Sequence, residues 1–332
     1  MPEELPTMYY QPSKFNPNFQ KFIKNDLLSF QPDVIFVPTA RRFKFGDVPV
    51  VNMIRNMEPL AVPYGENPLI EKVKNFFRAR EARMVTKKAH RIIAVSEHVK
   101  DFLTHEWEIS SEKIGIVYHG INNQDLNQRT IQKPLNVTIN NRFLFTAGSI
   151  RPARGLEDLI KAIPHIISTF PDLSVLIAGK VDPGMETYYN SLLKLSESLS
   201  VQNIILWIGQ LPSHEMEWCF RNCSAFVMTS RAEACPNTVL ESMSFGSVSI
   251  STDTDPMPEF YKNNAFYYNS GHHESLSKAI FKVLNMSESQ LQKYSEKAVD
   301  QAKLFSWKIC AENTVLELQK AISKTDYIRL ID

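Results

Sequence analysis

Short apolar runs and longer segments of helical period succeed one another regularly along residues 142–323. The apolar runs predict strands and the periodic segments predict helices. Predicted strands are 142–147, 173–178, 204–208, 225–228 and 248–251. Predicted helices are 156–170, 185–199, 213–222, 237–245, 275–284, 288–304 and 307–323. Because strands and helices alternate over short connections, this part predicts a doubly wound α/β domain with parallel strands.

The first part of the chain shows the same alternation with fewer elements. Its predicted strands are 34–37, 50–54, 92–95 and 114–117, and its long helix is 69–90. A polar stretch over 122–141, with few large apolar residues, indicates a linker between domains. The predicted organisation is a first Rossmann-like domain, a linker, a second Rossmann-like domain, and a closing helix that returns toward the first domain. The corresponding ranges are 1–125, 126–141, 142–306 and 307–332.

Composition narrows the classes of function. The 332 residues suit roughly two domains, and 37 Lys and Arg nearly balance 36 Asp and Glu, which argues against a nucleic-acid partner. No apolar run approaches the length of a membrane span, and the acidic start lacks a signal-peptide core, so we expect a cytoplasmic protein. The four cysteines show no paired spacing, which predicts reduced thiols and no metal site.

Two segments carry candidate chemistry after predicted strands. Gly148-Ser149-Ile150-Arg151-Pro152-Ala153-Arg154-Gly155 opens a helix, where free backbone N–H groups and guanidinium forks suit a phosphate. A solvated basic turn would carry the same residues, and the segment lacks the P-loop spacing.

The second segment runs from Ser230 to Glu241, with Pro236 suited to the start of a helix. Glu233 lies on the loop and Glu241 about two turns into the helix, at the sheet edge where α/β domains bind ligands. Carboxylates there accept hydrogen bonds from ribose or sugar hydroxyls. By position alone, both would equally be helix-start charges favoured by the helix dipole.

The order of these motifs resembles the donor domain of glycosyltransferase family 4. Gly-Ser-x-Arg-Pro-x-Arg-Gly-Leu is followed by Leu-Ile-Ala-Gly, Ile-Gly-Gln-Leu, Glu-x7-Glu and Pro-Glu-Phe. The resemblance implies the GT-B fold, an α/β architecture in which two Rossmann-like doubly wound domains face a cleft. It also implies retaining transfer from a nucleoside diphosphate sugar to a glycan or lipid-linked hydroxyl acceptor, with no metal and no other cofactor.

Roles follow from the resemblance position by position. Glu241 would bind the donor ribose, Glu233 would contact the donor sugar, and Arg154 occupies the place of the family's phosphate-binding lysine. Ser149 stands where the family has a second cation, and we expect Arg151 to supply that charge. Pro236 has no N–H, so backbone recognition there falls to the three residues that follow it. The donor-binding set is Gly148, Ser149, Arg151, Arg154, Gly179, Glu233, Asn237, Thr238, Val239 and Glu241.

The first half resembles the same family more loosely. Arg55 and Asn56 follow a predicted strand on the acceptor side, and the resemblance makes Asn56 catalytic with Glu233 and Arg154. A hydrogen-bonded turn is the alternative for this pair. Gly120 matches a glycine near the domain junction, beside His119, which we expect to pack or link rather than act as a base.

One departure from the family concerns the start of the chain. The family's opening strand and Gly-rich turn have no counterpart before residue 31, so the first domain is expected to be shortened and incomplete. A partner chain would then cover the missing strands. This motivates an alternative function, a non-catalytic nucleotide-sugar-binding subunit of a partner transferase. A sugar-nucleotide epimerase ranks lower, because Glu-x7-Glu resembles the transferases.

The segment 72–91 combines basic residues with Phe76 and Phe77, a composition that suits peripheral contact with anionic lipid. A solvated surface helix is the alternative. The basic residues are Lys72, Lys74, Arg78, Arg80, Arg83, Lys87, Lys88 and Arg91.

Overall fold

The computed structural model of the chain describes residues 29–41, 46–61, 67–121, 131–134 and 142–329. Within these ranges the strands form two separate sheets, each with parallel strands throughout. The predicted α/β class is confirmed. The predicted linker lies largely outside the described residues, as do residues 1–28, on which the expectation of missing opening strands falls.

The first sheet has the order β1-β2-β3-β4. Its helices pack beside it, and α3 begins where the Ser96 hydroxyl accepts a hydrogen bond from the Val99 N–H at 3.2 Å. The elements are β1 (Ile35–Val37), β2 (Val50–Ile54), α1 (Glu58–Ala61), α2 (Leu69–Lys88), β3 (Arg91–Ala94), α3 (Glu97–His105) and β4 (Ile114–Ile116).

The second sheet contains six strands and the remaining helices. Its strands are β5 (Arg142–Ala147), β6 (Leu173–Ala178), β7 (Ile205–Gly209), β8 (Ala225–Met228), β9 (Ser249–Thr252) and β10 (Ala265–Tyr268). Its helices are α4 (Leu156–Ala162), α5 (Pro164–Ile167), α6 (Glu186–Ser198), α7 (Ser213–Asn222), α8 (Asn237–Ser244), α9 (Met257–Tyr261), α10 (His273–Leu284) and α11 (Glu288–Ala302). The chain ends its described part with α12 (Trp307–Arg329).

The strand order of the second sheet places its ligand-binding edge. The order is β7-β6-β5-β8-β9-β10, the doubly wound order of a Rossmann fold. The chain changes direction across the sheet between β5 and β8, so a crevice opens beyond the carboxyl ends of these two strands. Gly148 follows β5, and the loop that contains Glu233 follows β8.

One predicted helix is divided in the structure, and some observed elements were not predicted. The predicted helix 156–170 is divided between α4 and α5, because Pro164 has no N–H for a helical hydrogen bond. Strand β10 was not predicted, although its aromatic residues between an Asn-Asn pair and an Asn-Ser-Gly turn are typical of a strand.

The two halves contact one another away from the cleft. The Glu259 carboxylate accepts hydrogen bonds from the backbone N–H groups of Glu97, at 2.7 Å, and His98, at 3.1 Å. It thereby caps α3 of the first half from α9 of the second. Helix α12 lies against β2 and β3 of the first sheet, where Glu317 pairs with Arg91.

None of the helices in the described part of the chain is both long and apolar enough to cross a membrane. The described residues also contain no group of three or more His, Cys, Asp or Glu side chains placed to hold a metal ion.

Candidate active site

A cavity of about 540 Å³ opens at the carboxyl edge of the second sheet. Its walls come from the turns after β5 and β6, from the first turns of α8, and from the segment at Gly120 and Trp307. We call it the donor-side cavity. The predicted site residues that it brings together are Gly120, Gly148, Ser149, Gly179, Asn237, Thr238 and Glu241.

Two glycines allow the turns after β5 and β6 to pack closely. Gly148 has φ of +146° and Gly179 has φ of +148°, a region that residues with side chains rarely adopt. A Cβ on Gly179 would collide with the backbone oxygen of Gly148, and one on Gly148 would lie 2.8 Å from the Arg154 guanidinium carbon. Gly148 therefore leaves room for the Arg154 side chain, and Gly179 allows the two turns to meet.

Glu241 lines the donor-side cavity on α8, and its carboxylate is largely withdrawn from water. Burial raises the pKa of this carboxyl to about 7 from an ordinary value near 4.5. Within the described part of the chain, no side chain or backbone N–H donates a hydrogen bond to it. A carboxylate with this environment can accept hydrogen bonds from a ligand with paired hydroxyls.

The residues after Pro236 divide between the cavity and the core. Asn237 and Thr238 line the cavity, whereas the Val239 side chain is fully buried beneath it. The Val239 N–H bonds to the Pro236 carbonyl at 3.1 Å, so the structure does not bring Val239 to the cavity. The first turn of α8 uses that N–H for its own hydrogen bond.

His119 lies at the same wall and supports it. Its Nδ1 lies 3.2 Å from Oδ1 of Asn237, and its ring stacks on Trp307. Burial, followed by the Arg55 charge, lowers the pKa of His119, so the ring is neutral near pH 7. These contacts fit the predicted packing role of His119 better than a role as a base.

A second pocket, of about 240 Å³, adjoins the donor-side cavity and shares Ser149 with it. We call it the central pocket. Arg154 donates hydrogen bonds to Glu233 at 2.5 Å and to the Ser230 hydroxyl at 3.1 Å. The turns after β5 and β8 thus present one cation and one carboxylate together, held in place by each other.

Arg151 also lines the central pocket but has a different environment from Arg154. Its guanidinium pairs with Glu58 at the start of α1 and with Asp182 after β6. These two carboxylates raise the pKa of Arg151 against the effect of its burial, which is the largest influence. Arg151 therefore bridges the two halves of the molecule, and its guanidinium already has two carboxylate partners.

A third pocket, of about 420 Å³, lies on the first-half side of the cleft and shares Arg55, Asn56 and Arg151 with the central pocket. We call it the acceptor-side pocket. The Asn56 side-chain oxygen accepts a hydrogen bond from the Glu58 N–H at 3.0 Å, which forms the turn predicted as the alternative for this pair. Asn56 itself lines both pockets.

The three pockets adjoin one another in the order donor-side cavity, central pocket and acceptor-side pocket, since each neighbouring pair shares lining residues. Sequence reasoning missed Glu58, Asp182 and Lys180 in their walls or contacts. Lys180 had a local signal, since it directly follows Gly179. The partners of Arg151 had none, since they lie far from it in the sequence.

Comparisons with known protein families agree with this architecture. Residues 127–301, more than half of the chain, match the family described as Glycosyl transferases group 1. Residues 2–125 match the family described as Glycosyltransferase Family 4.

Solved structures share the fold at low sequence identity. Anabaena HepE in complex with UDP and glucose has a TM-score of 0.70 and 18% identity, covering 92% of this chain and 83% of that one. A glycosyltransferase from Rickettsia africae has a TM-score of 0.70 and 17% identity, covering 95% and 84%. The predicted GT-B fold is confirmed.

The curated relatives are longer than the region that they share with this chain. The O-antigen chain mannosyltransferase RfbU of Salmonella typhimurium is 24% identical over 68% of this chain and 59% of its own length. The GPI3 subunit of phosphatidylinositol N-acetylglucosaminyltransferase from Saccharomyces cerevisiae is 22% identical over 71% of this chain and 51% of its own length. The matches thus cover between half and two thirds of these relatives. By the family match over more than half of its length, and with the GT-B fold, the chain belongs to the glycosyl transferases group 1.

Proposed function

We propose that the chain transfers a sugar from a nucleoside diphosphate sugar to an acceptor hydroxyl, with retention at the anomeric carbon. The observation that carries the proposal is the series of three pockets. The nucleotide would occupy the donor-side cavity, with its ribose on Glu241. The sugar would lie in the central pocket, and a glycan or lipid-linked acceptor would enter from the acceptor-side pocket.

The reaction breaks the bond between the anomeric carbon and the diphosphate oxygen. Negative charge then grows on the diphosphate, and Arg154 together with the N–H groups of the turn after β5 would stabilise it. The sugar becomes oxocarbenium-like, and the acceptor oxygen attacks on the face that the diphosphate leaves. The acceptor proton passes to the departing phosphate oxygen. Glu233 and Asn56 would orient the sugar and the acceptor, and no metal or other cofactor takes part in this scheme.

Donor binding is the first test. Calorimetric titration of the chain with UDP, GDP, ADP and their common sugars should reveal one preferred nucleotide. Glu241→Ala should weaken its binding about 100-fold, because the variant loses charge-assisted hydrogen bonds of about 1.5–3 kcal/mol to the ribose. Glu296→Ala, an exposed glutamate on α11, is the matched control. Equal affinities for the parent chain and Glu241→Ala would contradict the assignment of the cavity.

The alternative, a non-catalytic nucleotide-sugar-binding subunit, predicts the same binding without transfer. One relative is itself named as a subunit. The chain would be freed of any copurifying partner and assayed with candidate acceptors. If it then binds the donor but shows neither sugar transfer nor donor hydrolysis, the subunit function replaces the enzymatic one.

We further propose that α2 lies on an anionic membrane surface. This helix buries Asn75, Ala82, Val85 and Thr86, whereas six of its larger apolar side chains are exposed. A surface helix that faces only water would bury its large apolar side chains and expose its polar ones. The exposed apolar residues are Leu69, Ile70, Val73, Phe76, Phe77 and Met84, with Phe77 at 63% exposure.

Charge selects the kind of surface. The exposed cations Arg80, Arg83, Lys87 and Lys88 and the half-buried Lys72 lie on the same helix, and they complement phosphatidylserine or phosphatidylinositol headgroups. The chain would therefore reside in the cytoplasm and associate peripherally with a membrane. Such a position would also bring the acceptor-side pocket, whose wall includes Glu71, Arg78 and Ala82 of α2, close to a lipid-linked acceptor.

Vesicle sedimentation tests this contact. The chain should bind vesicles containing phosphatidylserine and not pure phosphatidylcholine, and the double variant Phe76→Ser with Phe77→Ser should lose most of that binding. Phe281→Ser, a phenylalanine exposed at 43% on α10, is the control. Retained binding by the double variant would support the alternative of a solvated helix.

A further inference from the structure

The acceptor-side pocket is unusually rich in guanidinium groups. Four arginines line its volume of about 420 Å³, and its other polar walls include Thr39, Asn56, Glu71 and Glu81. The arginines are Arg41, Arg55, Arg78 and Arg151. Because arginine remains protonated throughout the physiological range, each contributes a full positive charge.

Three of these arginines have a carboxylate partner within the protein. Arg41 pairs with Glu81 at 3.4 Å, Arg78 pairs with Glu71 at 2.7 Å, and Arg151 pairs with Glu58 and Asp182. The folded chain has therefore neutralised most of the charge in this pocket, and these pairs define its walls.

Arg55 is the exception. Among residues 29–41, 46–61, 67–121, 131–134 and 142–329, no carboxylate lies within ion-pair distance of its guanidinium. Arg55 follows β2 directly and borders both the acceptor-side and the central pocket. Its position is thus at the passage where an acceptor would meet the donor sugar.

The location separates an acceptor role from a donor role. Arg55 does not line the donor-side cavity, whose polar wall contains Ser149, Asn237 and Glu241. The donor diphosphate would lie near Arg154, which lines the central pocket but not the acceptor-side pocket. An anion bound by Arg55 on the side of the acceptor-side pocket therefore belongs to a molecule that enters there.

We propose that the acceptor carries a phosphate group close to the hydroxyl that is glycosylated, and that Arg55 binds this phosphate. The proposal rests on the proposed function and specifies its acceptor class. Guanidinium forks match phosphate oxygens in two parallel hydrogen bonds. The phosphate belongs either to a soluble phosphorylated sugar or polyol, or to a phospholipid headgroup.

The test compares matched acceptor pairs with the donor-side cavity filled by a saturating nucleotide diphosphate. The soluble pairs are glycerol and glycerol 3-phosphate, inositol and inositol 1-phosphate, and glucose and glucose 6-phosphate. The membrane pair is phosphatidylcholine vesicles with diacylglycerol or with phosphatidylinositol, and every chain compared on them carries Phe76→Ser with Phe77→Ser, so that the contact of α2 with anionic lipid contributes little. Calorimetry measures the soluble pairs, and sedimentation measures the vesicles. The measured quantity is binding, which is independent of transfer activity.

The phosphorylated member of at least one pair should bind about tenfold or more tightly than its parent, the effect of one charge-assisted contact. Arg55→Gln should abolish the difference and Arg55→Lys should restore part of it. Arg142→Gln, at the far end of β5 from the cleft, removes one positive charge as a control and should change nothing. A preference within the soluble pairs alone identifies a soluble phosphate, and one within the vesicle pair alone identifies a headgroup.

Three outcomes would overturn the proposal. The members of every pair could bind equally, Arg55→Gln could retain the full preference, or nucleotide could displace the phosphorylated probe, which would place it in the donor-side cavity. Failure of the proposed function is distinguishable, because it would appear as absent nucleotide binding in the separate titration with Glu241→Ala. Arg55 could instead bind a carboxylate on the donor sugar while the acceptor is uncharged. Arg55→Gln would then weaken binding of the sugar nucleotide in the donor titration, and this result would also contradict the proposal.

Discussion

The two halves of the cleft are built from the same kind of parallel sheet, but they differ in whether the arginine next to the central pocket has a carboxylate partner. In the second half, Arg154 is paired with Glu233 on neighbouring turns, and glycines with positive φ fit the turns together. In the first half, Arg55 has no carboxylate partner among the described residues, and α2 turns its large apolar residues outward. The second half thus presents a paired cation between closely packed turns, whereas the first half leaves one cation unpaired and several apolar side chains exposed among the described residues.

The largest expected effect separates the halves directly. Arg154→Ala should lower the rate of donor hydrolysis and of transfer to every acceptor by about 10²–10³-fold, the usual loss for one group that stabilises developing charge. Arg154→Lys should lower these rates less, because lysine retains the positive charge. It should still be slower than the parent chain, because it lacks the guanidinium fork that pairs with Glu233. Steady-state kinetics with saturating donor measures both variants.

The acceptor side provides the contrast for this prediction. Arg55→Gln should reduce transfer only to phosphorylated acceptors and leave donor hydrolysis in water unchanged. If Arg154→Ala affected only one acceptor, or if Arg55→Gln slowed donor hydrolysis as strongly, the division of the cleft into a donor side and an acceptor side would be wrong.

The same contrast explains how much the sequence could predict. Strands β5, β6 and β8 and helix α7 have the predicted bounds, because their patterns are local and their strands are buried on both faces. The motifs after β5 and β8 likewise lie in consecutive residues, so Glu233, Arg154 and Glu241 could be selected from the sequence alone.

Other features depend on contacts between distant residues. Arg151 was expected to meet phosphate, but Glu58 and Asp182 pair with it, and only the tertiary fold brings these carboxylates together. Val239 was chosen for its N–H, which the first turn of α8 uses internally. The outward apolar face of α2 depends on which side of the helix meets the sheet, and the weakly periodic pattern of 69–88 does not determine that.

A smaller expected effect concerns pH on the donor side. Because burial raises the pKa of Glu241 to about 7, this carboxyl is increasingly protonated below pH 7 and can then no longer accept both ribose hydrogen bonds. Donor affinity should therefore fall as pH decreases from 8 to 6, by up to about tenfold per unit once below the pKa. Calorimetry across this range measures the slope.

Stability should show the opposite trend for the unliganded protein. A carboxyl with a raised pKa in the folded state binds its proton more tightly there than in the unfolded chain, so its contribution to stability falls as pH rises from about 4.5 to 7. Glu241→Gln removes this effect, and should be more stable than the parent chain at pH 8, by on the order of 1 kcal/mol, and not at pH 4.5. Its donor affinity should be low and independent of pH. A variant with unchanged pH dependence would show that another group titrates.

The smallest effect tests whether the halves act as one unit. Glu259 of α9 caps α3 across the junction, and burial together with this carboxylate raises the pKa of the Tyr118 hydroxyl. Glu259→Gln retains one acceptor oxygen but loses the charge that favours a helix start, so the free energy of unfolding should fall by about 1 kcal/mol. Glu288→Gln, at the first turn of α11 within the second half, is the matched control and should lower the free energy of unfolding by only a few tenths of that amount.

Because Glu259 joins the halves, its variant should also separate their unfolding, so that fluorescence and circular dichroism transitions in urea no longer coincide. Coincident transitions with an unchanged midpoint would mean that packing along α12, rather than this cap, couples the donor side to the acceptor side.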